Sequence, residues 1–224
     1  KIMNQFVMWG HKDRNEQVEF HGIPFCVFRK DGTVRKIEER DKISIITESI
    51  LGGPIFKALF FLGMVTEKPE GSEWWGQNER YYYHGARLFI GDRIARFEVI
   101  YADNTCETVP VIFGVNIWPY ELFSPLKENE KKLNNYSGPY PEPFASDGYT
   151  RKLLYDSLIL MENDEEKGMK YIFGLKVKEK AIREIVISRE TYKEAGIVVS
   201  AVTGLKAGAE FNSEWKVYAP DYFV

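Results

Sequence analysis

The sequence predicts an all-β fold, and three observations support this prediction. Residues 95–99 alternate between apolar and polar side chains, which is the period of a strand with one buried face, and Val109, Val111 and Phe113 resume the same period of two. Short apolar runs recur along the rest of the 224 residues, separated by the Gly, Pro, Asn and Asp residues typical of turns. Aromatic residues make up 15% of the chain, a content that suits a β-rich core. This length is sufficient for one large β domain.

Several short strands are predicted before residue 65. Residues 6–9 form either a lead-in strand or the remnant of an upstream linker, and 18–28 form a strand in which Gly22 and Pro24 mark a bend or an edge. Residues 56–64 are apolar apart from Lys57, which indicates a strand covered on both faces. Two further short strands are predicted at 34–37 and 43–46.

Residues 65–84 are unusual because aromatic side chains lie among polar and turn residues. Trp74, Trp75 and the run 81–83 of three tyrosines interrupt the segment TEKPEGSEWWGQNERYYYH. Exposed rings in a loop suit a sugar binder, because the C–H face of a pyranose stacks on them while polar neighbours bond the hydroxyls. The structural alternative is that a tryptophan plugs one end of the fold and that Tyr81 and Tyr83 belong to the core.

Residues 92–120 predict a β-hairpin. Asp103 and Asn104 supply its turn, because both side chains bond the local backbone and Asn tolerates positive φ. Arg96 and Glu98 face away from the core, and Pro110, which has no N–H, is expected at a sheet edge or a bulge. The side chains predicted to face the core are Ala95, Phe97, Val99, Tyr101, Val109, Val111 and Phe113.

Residues 121–150 form the longest irregular stretch and are predicted to be a loop insertion. Ser124 and Pro125 suit the start of a short helix, whereas the proline-rich run 137–143 excludes a central strand or helix. Tyr140 brings another ring to this loop. Beyond it we expect strands at 153–160, 171–177, 182–187 and 197–202, an acidic turn at 161–168, a helical turn at 188–196, and a tail that either adds an edge strand or contacts a neighbouring domain.

Composition excludes several classes of partner. The net charge is −3 and no basic patch with interleaved aromatics is present, which argues against nucleic acid and anionic membranes. No apolar run approaches the roughly 20 residues of a bilayer span. Because the chain begins at Lys1, we expect a processed product or an excised module. Cys26 and Cys106 could form one bridge, but two buried thiols are the favoured prediction.

No motif indicates catalysis. The histidines His11, His21 and His84 show no metal-binding spacing, the cysteines show no CxxC, and no GxSxG is present, so we predict neither a transition-metal site nor a nucleophile. The acidic residues Glu162, Asp164, Glu165 and Glu166 could hold calcium, but a solvated turn is the favoured explanation. A pair of carboxylates that meets only in the fold remains open.

The hairpin resembles a segment of the galactose-binding-like β-sandwich (jelly-roll) modules that are attached to bacterial glycoside hydrolases. It reads YADN at 101–104, VPV at 109–111 and GVNIW at 114–118. Further matches occur in the same order: FHGIPF at 20–25, KALFFL at 57–62, AIREI at 181–185 and SAVT at 200–203. The resemblance spans about residues 18–205, with departures at Asn104, where the modules have Gly, and within 121–149.

No internal repeat or flexible linker divides the chain, so a single domain is predicted over residues 1–224. The resemblance implies a jelly-roll β-sandwich with a long loop insertion and its core at about residues 18–205. It also implies a module of a larger protein that is extracellular or at the cell surface, and it raises the possibility of a structural calcium ion. No other cofactor is predicted.

Three hypotheses for function follow. The leading one is a non-catalytic carbohydrate-binding or accessory module of a secreted carbohydrate-active protein. The second is a structural module that docks to a catalytic domain of the same polypeptide without binding sugar, using exposed aromatics. The third is a carbohydrate-active enzyme with loop carboxylates, although we predict that the chain is not itself the enzyme. The predicted ligand-binding residues are Trp74, Trp75, Gln77, Asn78, Tyr82, Trp118 and Tyr140.

Overall fold

A computed structural model describes residues 2–9, 15–28, 35–37, 42–46, 53–63, 65–67, 92–113, 115–119, 159–164, 168–190 and 196–223. Within these ranges the fold is all-β, as predicted, with short 3₁₀ helices at Ile2–Gln5 and Pro220–Phe223. The strands are β1 Phe6–Trp9, β2 Asn15–Phe20, β3 Ile23–Phe28, β4 Arg35–Ile37, β5 Lys42–Ile46, β6 Phe56–Leu62, β7 Val65–Glu67, β8 Arg93–Tyr101, β9 Cys106–Ile112, β10 Trp118–Pro119, β11 Ile159–Asp164, β12 Gly168–Lys176, β13 Ile182–Arg189, β14 Gly196–Val199, β15 Ala201–Lys206 and β16 Val217–Tyr218.

The strands form four sheets. The large sheet has the order β1-β15-β6-β12-β11, with β16 also paired to β12. The second sheet has the order β5-β13-β8-β9, the small sheet β10-β7-β14-β4, and β2 pairs with β3. Among the described strands the pairs are antiparallel, apart from the parallel pairs β7–β10 and β12–β16.

The main core lies between the large sheet and the second sheet. Phe61 of β6 and Phe173 of β12 face Phe97 of β8, with ring centroids 4.5 Å apart for Phe61–Phe97 and 6.2 Å apart for Phe97–Phe173. Ile197 of β14 joins the same cluster, so the small sheet shares this core. Burial of these large side chains on facing sheets is the principal source of stability.

A second core covers the opposite face of the large sheet. Phe60 of β6 and Leu205 of β15 pack there with Phe25 of the β2–β3 hairpin, and Trp215 of the tail packs against them. Successive residues of β6 from Ala58 to Leu62 point alternately into the two cores, which is why this part of the strand is continuously apolar. The prediction of a strand covered on both faces is confirmed for Phe56–Leu62, whereas residue 64 lies outside the described residues.

The predicted hairpin at 92–120 is confirmed as β8 and β9. The seven side chains predicted to face the core are fully buried. Asn104 in the turn has a φ of 64°, the left-handed conformation that Asn tolerates. Pro110 lies on β9, an edge strand of the second sheet, as expected for a residue that lacks an N–H.

Two predicted strands are each two strands. Residues 18–28 are divided at His21 and Gly22, which have φ values of 53° and 74° and form a two-residue turn between β2 and β3. Residues 197–202 are divided at Ser200, so that β14 joins the small sheet and β15 the large one. At the first break the two strands pack into the same second core, with Phe20 and Ile23 on either side of the turn. At the second break Val199 lies in the main core and Ala201 in the second core, so the apolar pattern continues from one strand into the next.

Two predicted turns were wrong in their extent. Residues 161–164 belong to β11, with Glu162 opposite Lys170, rather than to an acidic turn. The predicted strand at 153–160 is described only at 159–160, where β11 begins. Residues 188 and 189 continue β13 instead of beginning a helical turn. The tail does add a strand, since β16 pairs with β12.

Candidate functional site

Most of the predicted ligand-binding residues lie outside the described part of the chain. These are Trp74, Trp75, Gln77, Asn78, Tyr82 and Tyr140. Trp118 is described in its backbone, where it begins β10 opposite Val65 of β7. For this site the structure therefore describes the strands that precede and follow the aromatic segments in the chain.

The two aromatic segments leave the small sheet from adjacent strands. β7 and β10 run parallel, with Val65 opposite Trp118 and Thr66 opposite Pro119, so their last residues lie side by side. Segment 68–91, which contains both tryptophans, follows β7, and segment 120–158, which contains Tyr140, follows β10. The topology thus places the starts of the two predicted binding segments next to each other.

The other two strands of the small sheet meet this end as well. Gly196, the first residue of β14, lies opposite Glu67, and Ile197 lies opposite Ile37, the last residue of β4. We call this end, defined by Ile37, Glu67, Pro119 and Gly196, the loop end. Function on a rigid scaffold is commonly carried by segments that share one end of a sheet.

Segment 68–91 returns to the fold at Asp92, where β8 begins with a β-bulge. Arg93 lies opposite Ile112 and Ala95 opposite Val111, so Ile94 is an extra residue in β8. Ile94 and Ala95 are both buried, whereas strict alternation from Ala95 would direct Arg93 towards the core. The bulge instead leaves Arg93 exposed, where its guanidinium and that of Arg96 reach the same carboxylate.

The two arginines belong to a connected chain of polar side chains, which we call the Arg–Glu cluster: Arg93, Arg96, Glu98, Ser188 and Glu190. Arg93 donates from Nε to Glu190, and Arg96 Nη1 donates to Glu190 Oε1 at 2.7 Å. Arg96 Nε lies 3.7 Å from Glu98 Oε1, and Ser188 Oγ donates to Glu98 Oε2 at 3.2 Å. Glu190 immediately precedes segment 191–195, which leads to Gly196 of the loop end.

In this cluster the arginine side chains are more exposed than the glutamate side chains. The side chains of Arg93 and Arg96 are 53% and 39% exposed, whereas those of Glu190 and Glu98 are 20% and 19% exposed. The hydrogen bond to Glu190 and the nearby charge of Glu98 raise the pKa of Arg96 above its ordinary value. The guanidiniums are thus more exposed than the carboxylates with which they pair.

The opposite end of β8 carries a second polar cluster. Tyr101 donates its hydroxyl hydrogen to Glu107 and accepts a 2.9 Å hydrogen bond from the Lys178 N–H. Burial and the hydrogen bond to Glu107 raise the pKa of Tyr101. At the turn, Lys180 Nζ lies 2.6 Å from Asp103, and this contact, with hydrogen bonds from Thr105, lowers the pKa of Asp103. These bonds tie the β8–β9 turn to β13 and the segment before it.

The cysteines are unbridged, but they are not both buried as predicted. Cys26 is partly buried and Cys106 is exposed beside the β8–β9 turn. Cys106 faces outward because its neighbour in β9, Glu107, turns towards Tyr101.

Within the part of the chain that the structure describes, no group of three or more His, Cys, Asp or Glu side chains could hold a metal ion. Of the four residues proposed for calcium, Glu165 and Glu166 lie outside this part.

The tail aromatics do not form one exposed group. Trp215 packs edge-on against Phe6 and Phe60, and its indole N–H donates to the His21 carbonyl at 2.8 Å. Tyr222 is 61% exposed and packs on Tyr218, with ring centroids 4.8 Å apart. Phe211 is also exposed and lies under the Lys57 ammonium at 4.5 Å from the ring centroid.

Sequence reasoning did not identify the Arg–Glu cluster as a candidate site. Arg96 and Glu98 were assigned to the outer face, but Arg93 and Glu190 were not considered. The available signal is the consecutive apolar pair Ile94–Ala95, which interrupts the alternation of β8 and indicates a bulge. The partnership with Glu190 depends on the pairing of β8 with β13, which local patterns do not specify.

In the described ranges, no helix is long and apolar enough to span a membrane.

Comparison with known proteins provides no family for this chain: no protein-family model, no curated protein and no solved structure matches it.

Proposed function

We propose that the chain is a non-catalytic carbohydrate-binding or accessory module of a larger secreted carbohydrate-active protein. The observation that carries this proposal is the parallel pairing of β7 and β10, from which the two aromatic segments start side by side. Trp74 and Trp75 are the proposed stacking platforms. Gln77 and Asn78 are the proposed hydroxyl partners, and Tyr82, Trp118 and Tyr140 are further contacts from the same two regions.

The chemistry of glycan binding suits this arrangement. A sugar ring offers an apolar C–H face to an aromatic side chain and a rim of hydroxyls to amide and charged groups. Segment 68–91 supplies aromatic and amide side chains close together in sequence. In the chain, this segment lies between strands β7 and β8.

The proposed fold type is the galactose-binding-like jelly roll, in a single domain. Two largely antiparallel sheets that share one core support this assignment, as do the motif matches on β3, β6, β8, β9, β13 and β15. An extracellular or cell-surface location is part of the same proposal and rests on the resemblance alone.

Intrinsic tryptophan fluorescence tests the proposal. We expect one class of soluble oligosaccharide to give a saturable shift that Trp74→Ala and Trp75→Ala together abolish, because stacking on these rings supplies the affinity. Trp9→Phe is the matched control, since Trp9 packs against Phe56 in the core and its removal leaves the titration in place. An unchanged affinity in the double variant would refute the site.

A second candidate function is docking to a catalytic domain without sugar binding. Three large apolar side chains exposed at the surface favour it: Ile55, Phe211 and Tyr222. Docking would be favoured over glycan binding if no glycan in a broad panel changed the tryptophan fluorescence and a soluble quencher did not reach the tryptophans.

A further inference from the structure

We propose that the chain exchanges the end of its tail with a second copy of itself, so that closed monomers are in equilibrium with a two-fold symmetric dimer. The exchanged part is residues 215–223, which we call the exchanging segment, and residues 210–214 are its hinge. In the dimer, each exchanging segment occupies on the other copy the position that it holds on its own copy in the monomer. This inference does not depend on glycan binding.

The surface that receives the exchanging segment is the first observation. We call it the tail site, and it consists of Phe6, Phe60, the His21 carbonyl and the edge of β12 at Gly174 and Leu175. The Trp215 ring packs edge-on against Phe6 and Phe60, with centroids 5.8 and 5.3 Å away. Its indole N–H donates to His21 at 2.8 Å. This part of the site therefore recognises a tryptophan by both its ring and its N–H.

The edge of β12 recognises an extended backbone. β11 pairs with β12 as far as Phe173, and β16 pairs with the next two residues on the same side of the strand. Gly174 lies opposite Val217, and because it has no Cβ the Lys216 carbonyl can approach closely. Without β16 these two residues would form an unpaired sheet edge, which readily pairs with another chain. The tail site thus fits an extended strand that begins two residues after a tryptophan, and a second copy carries such a segment.

The chain before the hinge is held by its own copy. Ala209 is buried in the second core, and Lys57 donates a hydrogen bond to its carbonyl. The Lys57 ammonium also lies 4.5 Å from the centroid of the Phe211 ring, which is an exposed contact of modest energy. The exchange therefore leaves the chain as far as Ala209 in place and begins within residues 210–214.

The hinge is exposed and is closed by a local turn. Each of residues 210–214 is exposed. The Glu214 N–H donates to Asn212 Oδ1 at 3.0 Å, and the Trp215 N–H donates to the Asn212 carbonyl at 3.1 Å. When this turn opens, the five residues of the hinge extend to about 17 Å. An extended hinge of this length carries Trp215 away from its own copy and towards a second one.

The exchange conserves the contacts of the exchanging segment. Trp215 and β16 meet the same partners on the second copy as on their own, and the ring contact between Tyr218 and Tyr222 lies within the segment. Only the hinge changes, so the dimer differs from two monomers by the lost turn and the entropy of association. Exchange of an identical element is for this reason a low-cost route to a dimer. The dimer fraction should rise with protein concentration.

Two variants that disrupt opposite sides of the contact test the exchange. Trp215→Ala damages the exchanging segment and leaves the tail site intact, whereas Gly174→Ala damages the tail site and leaves the segment intact. After the two are mixed and equilibrated, the segment of the Gly174→Ala copy can dock on the tail site of the Trp215→Ala copy. We expect native mass spectrometry to show a heterodimer about tenfold more abundant than either homodimer, because neither homodimer contains an intact pair.

Gly208→Ala is the matched control for Gly174→Ala. A Cβ at Gly208 meets nothing within 4 Å, so this copy retains its own tail site and should give no excess of heterodimer with Trp215→Ala. Circular dichroism verifies that each variant is folded. A mixture of folded Gly174→Ala and Trp215→Ala that stays monomeric would overturn the inference. Dimers that form as readily in each variant alone as in the mixture would overturn it too.

Hinge length provides an independent test in which the tail site and the exchanging segment are unchanged. Deletion of Asn212 and Ser213 removes the turn that returns Trp215 to its own copy, so the dimer fraction should increase about tenfold in sedimentation velocity. Insertion of two glycines after Ser213 should lower the dimer fraction, because a longer hinge closes more readily. A dimer fraction that does not respond to hinge length would contradict the exchange.

Discussion

Asn116 is one of the few buried polar side chains among the described residues, and its bonds explain its position. Its Oδ1 accepts from the Ile112 N–H at 2.7 Å, and its Nδ2 donates to the Pro110 carbonyl at 2.9 Å. Both partners are backbone groups of β9, an edge strand of the second sheet. The Asn116 side chain therefore takes the place of a neighbouring strand and satisfies groups that would otherwise be buried without hydrogen bonds.

We predict that Asn116→Ala lowers the free energy of unfolding by about 1–3 kcal/mol, because it leaves two backbone groups of β9 unsatisfied. Chemical denaturation monitored by circular dichroism measures the change. Asn212→Ala is the control, since Asn212 is exposed and bonds only its local turn, and we expect a loss of about 0.5 kcal/mol or less. Equal losses in the two variants would contradict this explanation.

At the scale of the element, the tail strand β16 depends on a close approach to β12. Gly174 lies opposite Val217, and a Cβ at Gly174 would overlap the carbonyl oxygen of Lys216. That oxygen belongs to the backbone, so it cannot rotate away as a side chain could. Glycine at this position is required by the parallel pairing of the two strands.

Gly174→Ala should therefore displace β16 and lower the free energy of unfolding by about 1–3 kcal/mol, the usual cost of overpacking. Hydrogen exchange of the Val217 and Tyr218 amides should accelerate in the same variant. Gly208→Ala is the matched control, because a Cβ there meets nothing within 4 Å, and it should be neutral or slightly stabilising. Unchanged exchange in β16 would argue against this account of Gly174.

The elements that could be predicted are those specified by local pattern. β8 and β9 follow from alternation and an Asp–Asn turn, and β6 follows from a run that is apolar apart from Lys57. The division of residues 197–202 into β14 and β15 could not be predicted, because each half is apolar and its partners, β7 and β6, are distant in sequence. The parallel pair β7–β10, on which the candidate site depends, is likewise set by tertiary contacts. The predicted aromatic contacts stay predictions, since apart from the backbone of Trp118 they lie outside the described residues.

At the scale of the whole molecule, the large sheet is the central layer of the described structure. The second and small sheets bury one of its faces, and the β2–β3 hairpin with the tail buries the other. The loop end belongs to the layer formed by the second and small sheets. The hairpin and tail belong to the opposite layer, so a change there should alter stability without displacing the loop end.

Trp215 is the residue that tests this division, because it joins the tail to both the hairpin and the large sheet. Its ring lies 5.3 Å from that of Phe60, and its N–H bonds the His21 carbonyl of the hairpin turn. We predict that Trp215→Ala lowers the free energy of unfolding by about 3 kcal/mol and accelerates hydrogen exchange in β2 and β3 more than in β8 and β9. Trp215→Phe, which retains a ring but loses the hydrogen bond, should cost about 1 kcal/mol. Equal acceleration of hydrogen exchange in the β2–β3 and β8–β9 hairpins would contradict this division, because it would show that the two cores unfold as one unit.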